Sequence, residues 1–141
     1  MAQTALNLPV PTPRPETDFY WEKTRAHELW LMRCHDCQRA YFYPRPICPH
    51  CFSRGTRWVL SSGRGTLYAF AIVHRAPTPA FQARVPYVAA IVELEEGVRL
   101  PTVLVEVEPD PSNIQIGMPV EVVFEEVTDT ITLPKFRPIG G

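Results

Sequence analysis

The 141-residue sequence predicts a mainly β protein, in which a short N-terminal helix and a four-cysteine ribbon precede a five-stranded barrel. Three observations favour this class. Sixteen prolines against seven glycines keep helices short. All four cysteines fall in two closely spaced pairs, and five β-rich runs follow them. We expect a proline-rich arm and helix at residues 1–31, the ribbon at 32–60 and the barrel at 61–141.

The N-terminal segment begins with the proline-rich stretch from Leu8 to Pro15, which favours an extended arm rather than a helix. Asp18 then opens an aromatic-rich segment with helical spacing, capped by Thr17 or Asp18. Packing in the core would explain these aromatic side chains, and so would docking on a partner, because aromatic residues beside arginine are typical of interface centres. The docking candidates are Phe19, Tyr20 and Trp21 in the helix and Phe81 in a later loop.

The ribbon is predicted from Cys34-His-Asp-Cys37 and Cys48-Pro-His-Cys51, which contain all four cysteines. Two such turns joined by a hairpin place four thiolates around one point, the tetrahedral arrangement that Zn²⁺ favours. Cys34, Cys37, Cys48 and Cys51 are therefore the predicted metal ligands. Four cysteines complete the coordination shell, so the site is expected to be structural rather than catalytic. Iron fits the same four-sulfur geometry, whereas disulfides are less expected because the sequence shows no signal peptide.

The barrel is predicted from five β-rich runs after Gly63-Arg-Gly65. They are Thr66–His74, Tyr87–Leu94, Val98–Val107, Met118–Val127 and Thr130–Phe136. Gly97 is expected in the turn of a hairpin, and the segment from Pro109 to Gly117 is a connector with room for one helical turn. The glycines before the first run suggest a bulge. Five short strands with a connector between the third and fourth fit an OB-type barrel.

Charge divides the chain into two halves. Residues 23–75 carry nine Lys/Arg and two acidic side chains, whereas residues 76–141 carry four basic and ten acidic ones. Zinc ribbons and OB barrels can both bind single-stranded nucleic acid, which is the alternative function, but an acidic barrel argues against it. The first residues lack the pattern of a signal peptide, and no run approaches the ~20 apolar residues of a membrane span. We therefore expect a cytoplasmic protein without membrane attachment.

The order of these motifs resembles a known family, the acyl-CoA-associated proteins with a rubredoxin-like zinc ribbon and an OB-fold, catalogued as domain of unknown function family thirty-five. The matching stretches extend nearly from end to end. They are Phe19-Tyr-Trp-Glu, the two cysteine turns, Tyr43-Pro-Arg-Pro, Gly63-Arg-Gly-Thr-Leu-Tyr, Pro86-Tyr-Val, Val92-Glu-Leu-Glu-Glu-Gly and Ile116-Gly-Met-Pro-Val-Glu-Val. The family often has glycine after the second cysteine of a turn. Gln38 and Phe52 stand there instead, so we expect left-handed backbone strain at both.

The resemblance implies a non-catalytic accessory subunit of a thiolase-like or other acyl-CoA enzyme, with Zn²⁺ in the ribbon and a possible share in binding CoA esters. The residues agree, because the cysteines are used for metal and no nucleophile lies beside a base in the sequence pattern. Arg45 and Arg64 flank the expected junction of ribbon and barrel. They are candidates for contact with the phosphates of CoA, since arginine binds phosphate through paired, charge-assisted hydrogen bonds.

Overall fold

The computed structural model describes residues 9–139 and contains one α-helix and eight strands in that part of the chain. Helix α1 covers Asp18–Arg25. The strands are β1 (Trp30–Cys34), β2 (Ala40–Tyr41), β3 (Thr56–Leu60), β4 (Arg64–Val73), β5 (Tyr87–Leu94), β6 (Arg99–Leu104), β7 (Pro119–Glu126) and β8 (Thr132–Pro138). Short 3₁₀ turns lie at Pro79–Phe81 and Pro111–Asn113, and the second one confirms the helical turn expected in the connector.

Helix α1 starts where Thr17 exchanges hydrogen bonds with Arg14 and ends two turns later at Arg25. The Arg14 amide donates to Thr17 Oγ1 at 2.9 Å. Asp18 lies in the first turn and Lys23 and Arg25 in the last, which suits the helix dipole. His27, at φ 62°, reverses the chain just beyond the helix, as residues in this conformation do at many helix ends.

The ribbon is a three-stranded antiparallel sheet with the order β2-β1-β3. Met32 lies opposite Tyr41 on one side and opposite Trp58 on the other. Because β1 ends at Cys34 and β2 begins at Ala40, the first cysteine turn is also the loop of a hairpin. The first metal-ligand candidate, Cys34, is therefore the last residue of β1, the central and most buried strand of the ribbon.

The barrel is closed with the strand order β4-β5-β6-β8-β7, and β7 returns to pair with β4. The β6–β8 contact is parallel and all others are antiparallel. This confirms the predicted mainly β fold with a helix, a ribbon and an OB-type barrel. Gly97 turns the β5–β6 hairpin at φ 86°, as expected. The bulge, however, lies between Leu67 and Ala69 rather than at the glycines, because this is where β4 bends away from its contact with β7.

One hydrophobic core joins the helix, the ribbon and the barrel. Tyr20 and Trp21 of α1 pack with Leu31 of β1 against buried barrel residues such as Val92 and Phe136. A smaller cluster around Met32, Tyr41 and two of the cysteines supports the ribbon alone. Since the helix contributes to the main core, it fixes the ribbon and the barrel relative to each other.

Polar contacts hold the linker between ribbon and barrel. Glu96, at the tip of the β5–β6 hairpin, accepts from Ser61 Oγ at 3.0 Å and from the Ser62 amide at 2.9 Å. The neighbouring Glu95 accepts from Ser62 Oγ at 2.8 Å. The hairpin tip therefore holds both linker serines through hydrogen bonds. In the described residues, no helix has the length and apolar character needed to cross a membrane.

Candidate metal centre and neighbouring surfaces

The four predicted ligands converge at one end of the ribbon. All four sulfur atoms lie within 4.8 Å of one another. Cys34 Sγ is 3.5 Å from Cys51 Sγ, and Cys37 Sγ is 3.7 Å from Cys48 Sγ. A tetrahedral zinc with Zn–S bonds of about 2.3 Å requires sulfurs about 3.8 Å apart. The separations therefore fit a divalent cation bound by all four cysteines.

Backbone amides point at the sulfurs, as the two-residue spacing of each pair requires. The Cys37 amide lies 3.5 Å from Cys34 Sγ, and the His50 amide lies 3.3 Å from Cys48 Sγ. Each turn is closed by a further bond, from Gln38 to the Cys34 carbonyl and from Phe52 to the Cys48 carbonyl. The two amides aimed at sulfur, those of Cys37 and His50, favour negative charge on the ligands.

The residue after each pair has a left-handed backbone, with φ 65° at both Gln38 and Phe52. This confirms the strain expected where the family often has glycine. Gln38 gains a compensating contact, because its side-chain amide donates to the His35 carbonyl at 2.6 Å. Phe52 instead exposes 77% of its surface.

Hydrogen bonds within the site shift the pKa values of Cys34 and Cys51 in opposite directions. The Cys37 amide, together with hydrogen bonds from neighbouring groups, lowers the pKa of Cys34 to about 7. At Cys51 a hydrogen bond from the Ser53 amide also lowers the thiol pKa. The hydrogen bond with Cys34 and burial outweigh that effect and raise the pKa to about 12. A site of this kind gives up protons as it takes up a cation, since thiolates and not thiols bind metal.

The aromatic docking candidates of α1 occupy different environments. Tyr20 and Trp21 are only 1% and 6% exposed, so the structure corrects their assignment to a docking surface. Trp21 Nε1 also donates to the Tyr43 hydroxyl at 3.0 Å, which satisfies its one polar group inside the chain. Phe19 is half-buried, and its ring centroid lies 5.3 Å from Trp30 and 4.7 Å from Trp58.

The fourth aromatic candidate, Phe81, lies on the barrel far along the sequence from α1. It is half-buried and lines a groove of about 320 Å³ together with Arg84, Tyr87 and Lys135. Its ring centroid is 5.8 Å from that of Tyr87. The sequence indicated Phe81 but not the groove, because Lys135, which completes the wall, comes from the distant strand β8.

The two arginines proposed for CoA phosphate line different grooves. Arg45 borders a groove of about 280 Å³ beside Phe19, Arg54 and Trp58, at the base of the ribbon. Arg64 borders another, of about 560 Å³, whose wall includes Glu93 and Glu95. The structure does not bring the two arginines into one groove. Arg54 is a cation in the Arg45 groove that the sequence had not singled out.

Comparisons with known proteins agree with this architecture. Residues 21–57 match the family described as the ChsH2 rubredoxin-like zinc ribbon domain, and residues 58–125 match the ChsH2 C-terminal OB-fold domain. A chain in a solved structure titled Ltp2-ChsH2(DUF35) aldolase superposes with a TM-score of 0.77 at 40% identity. That match covers 91% of this chain and 98% of the other.

Two relatives are covered by this chain to different extents. A probable enoyl-CoA hydratase alpha subunit of Thermomonospora curvata is 41% identical over 92% of this chain, which spans only 40% of that protein's length. A DUF35 domain-containing scaffold protein of Methanocaldococcus jannaschii is 40% identical, with 77% of this chain and 79% of the relative covered. The chain belongs to the DUF35 family, whose members join a rubredoxin-like zinc ribbon to an OB-fold domain.

Proposed function

We propose that this chain is a non-catalytic accessory subunit of an acyl-CoA enzyme complex, with a thiolase-like enzyme as the expected partner. The observation that carries the proposal is the match to a chain of the Ltp2-ChsH2(DUF35) aldolase. That match covers 98% of the aldolase's chain. Names of other relatives, a hydratase alpha subunit and a scaffold protein, support the acyl-CoA context and the assembly role respectively.

The metal centre supports a structural role. Cys34, Cys37, Cys48 and Cys51 would hold one Zn²⁺ in a closed four-sulfur shell. When bound, the ion would supply cross-linking between the two turns and no open position for substrate. The chain's own contribution is the set of amides aimed at the sulfurs, which favours the ionised ligands.

The docking surface in this proposal combines exposed and half-buried aromatic side chains. Phe81 offers the wall of an apolar groove on the barrel, and Phe19 closes the groove at the base of the ribbon. Phe52 joins them as an exposed apolar side chain at the tip of the second cysteine turn. Aromatic side chains of this kind commonly dominate the affinity of an interface.

For CoA esters, Arg45 is the better of the two phosphate candidates. It is exposed, and Arg54 lines the same groove, so two guanidinium groups face one carboxylate there, that of Glu16. Arg64 shares its groove with Glu93 and Glu95, whose carboxylates would oppose a phosphate. Phosphate binding at Arg64 would therefore require a partner protein to offset the negative charge of that groove. Phosphate binding at Arg45 would not require this.

The experiment combines the zinc-loaded chain with acyl-CoA enzymes of its source organism, expressed one at a time. We expect one of them to form a stable complex and to gain activity, whereas the isolated chain turns over no acyl-CoA. Phe81→Ala should weaken that complex about 30-fold, as for a hot-spot aromatic of about 2 kcal/mol. Ile116→Ala, at an exposed apolar residue outside the Phe81 groove, is the control. Reproducible turnover by the chain alone contradicts the proposal, and so does the absence of any stimulated enzyme.

A further inference from the structure

The outer edge of strand β4 is only partly used by the barrel. β4 extends from Arg64 to Val73, but its pairing with β7 stops at Thr66. Leu67 still bonds outwards, because its amide donates to Met118 and its carbonyl accepts from Gly117. Beyond the bulge, residues 69–73 pair only with β5 within the described range 9–139.

The pairing pattern shows which backbone groups face this edge. The Glu95 amide donates to the Arg64 carbonyl, so odd-numbered residues of β5 bond to β4. The Leu94 amide bonds to Val98 on the opposite side, which agrees with that alternation. After the bulge, Ala69, Ala71 and Val73 lie opposite the odd-numbered residues of β5. The N–H and C=O groups of the two residues between them, Phe70 and Ile72, therefore point to the free edge.

These groups have no hydrogen-bond partner at that edge among residues 9–139. Residues 65–73 contain no charge and no proline, two of the features that usually protect an edge, and the bulge of β4 lies before residues 69–73. Its outward face is small and accessible at Ala71, whereas Phe70 and Ile72 pack on the core. Beyond the bulge the edge is therefore uncharged, and its unpaired backbone groups could accept another strand.

We propose that this edge pairs antiparallel with the same edge of a second copy of the chain, around a two-fold axis at Ala71. In that register Phe70 of each copy lies opposite Ile72 of the other. The two pairs exchange four hydrogen bonds, which satisfies the four outward groups of each copy. The two Ala71 side chains meet on the axis without steric conflict.

Self-pairing is favoured over an unrelated strand because this segment is compatible with its own reversed copy. Arg75 is the nearest charged residue on the C-terminal side, and in this register it lies opposite Leu67 of the second copy rather than opposite a second cation. A symmetric contact therefore brings no like charges face to face. A strand of an unrelated protein would also have to be uncharged where it faces β4, and no symmetry ensures this.

The test measures the mass of the zinc-loaded full chain by analytical ultracentrifugation over a concentration series. We expect a reversible shift from one chain of 16.0 kDa towards twice that mass. Ala71→Asp places two carboxylates on the axis and should weaken self-association at least about tenfold. Ala83→Asp, at an exposed alanine of the β4–β5 loop, is the matched control and should leave the mass unchanged.

Amide hydrogen exchange identifies the register. In the wild-type dimer the Phe70 and Ile72 amides should be protected, and in Ala71→Asp they should exchange quickly. The Ala69 and Ala71 amides bond to β5 and should stay protected in both forms. A chain that remains monomeric overturns the proposal. A dimer that survives Ala71→Asp overturns it too, as does protection of the Phe70 and Ile72 amides in the monomer.

Discussion

The close approach of β4 and β5 at Gly65 can be tested with a single methyl group. Gly65 lies opposite Leu94 in the barrel. A Cβ at this position would lie 2.2 Å from the Glu93 carbonyl oxygen and 2.9 Å from Leu94 Cα. Ordinary C···O contacts are about 3.3 Å or longer, so Gly65→Ala requires the two strands to separate by about 1 Å.

The cost follows from what would have to move. The obstructing atoms are backbone, so rotation of a side chain cannot relieve the clash. Overpacking of this kind costs about 1–3 kcal/mol, and each weakened hydrogen bond between β4 and β5 adds about 1 kcal/mol. We expect Gly65→Ala to lower the free energy of unfolding by about 3 kcal/mol or more, and the melting temperature by about 10 °C.

Two other glycines provide graded controls for urea unfolding followed by tryptophan fluorescence in excess zinc. Gly97 has no atom within 4 Å of an added Cβ but has φ 86°, so Gly97→Ala should cost only about 1 kcal/mol. Gly55 has ordinary contacts, the nearest at 3.4 Å, and Gly55→Ala should be close to neutral. A Gly65→Ala chain as stable as Gly97→Ala would refute the close contact.

The remaining predictions concern the ribbon and one ion pair. Cys34→Ser should reduce bound zinc from one per chain to almost none and unfold the ribbon, as metal analysis and melting would show; full zinc content would contradict this. Phe52→Gly should stabilise the ribbon by about 0.5–1 kcal/mol through relief of its left-handed strain, measured by thermal melting in excess zinc. Gln38→Gly should gain less, since it loses the bond to the His35 carbonyl; equal gains would show that this bond contributes nothing. Burial opposes the ionisation of Glu125, but the hydrogen bond and charge of Lys135 lower its pKa. That pair contributes stability above a pH of about 4.3 and loses it as the pH falls further, so Glu125→Gln should flatten the stability–pH curve there by less than about 1 kcal/mol.

Much of the fold could be predicted because its signals are local. The spacing of the cysteines determined the ribbon turns, and Gly97 marked the β5–β6 hairpin at the correct place. The strain at Gln38 and Phe52 was expected from the resemblance, because the family often has glycine after each cysteine pair and this chain does not. The ribbon turns and the hairpin, by contrast, depend on a few neighbouring residues and on backbone geometry, which the sequence displays directly.

Features that depend on distant strands could not be predicted in the same way. The bulge at Tyr68 exists because β4 pairs with β7 at one end and only with β5 at the other, a consequence of barrel closure. The groove beside Phe81 needs Lys135 from the last strand to complete its wall. No short window of sequence contains both sides of such a contact.

The environment of Trp21 shows how a correct aromatic pattern led to a wrong surface. Helical spacing indicated an apolar face, but it could not show whether the face met this chain or another. The structure places Trp21 in the core with its indole N–H bonded to Tyr43, whose ring centroid lies 6.5 Å away. Trp21→Ala should therefore lower the free energy of unfolding by about 3–5 kcal/mol, and any loss of partner binding would follow from unfolding. Phe52, which is exposed and makes no comparable core contact, reports on docking without that ambiguity.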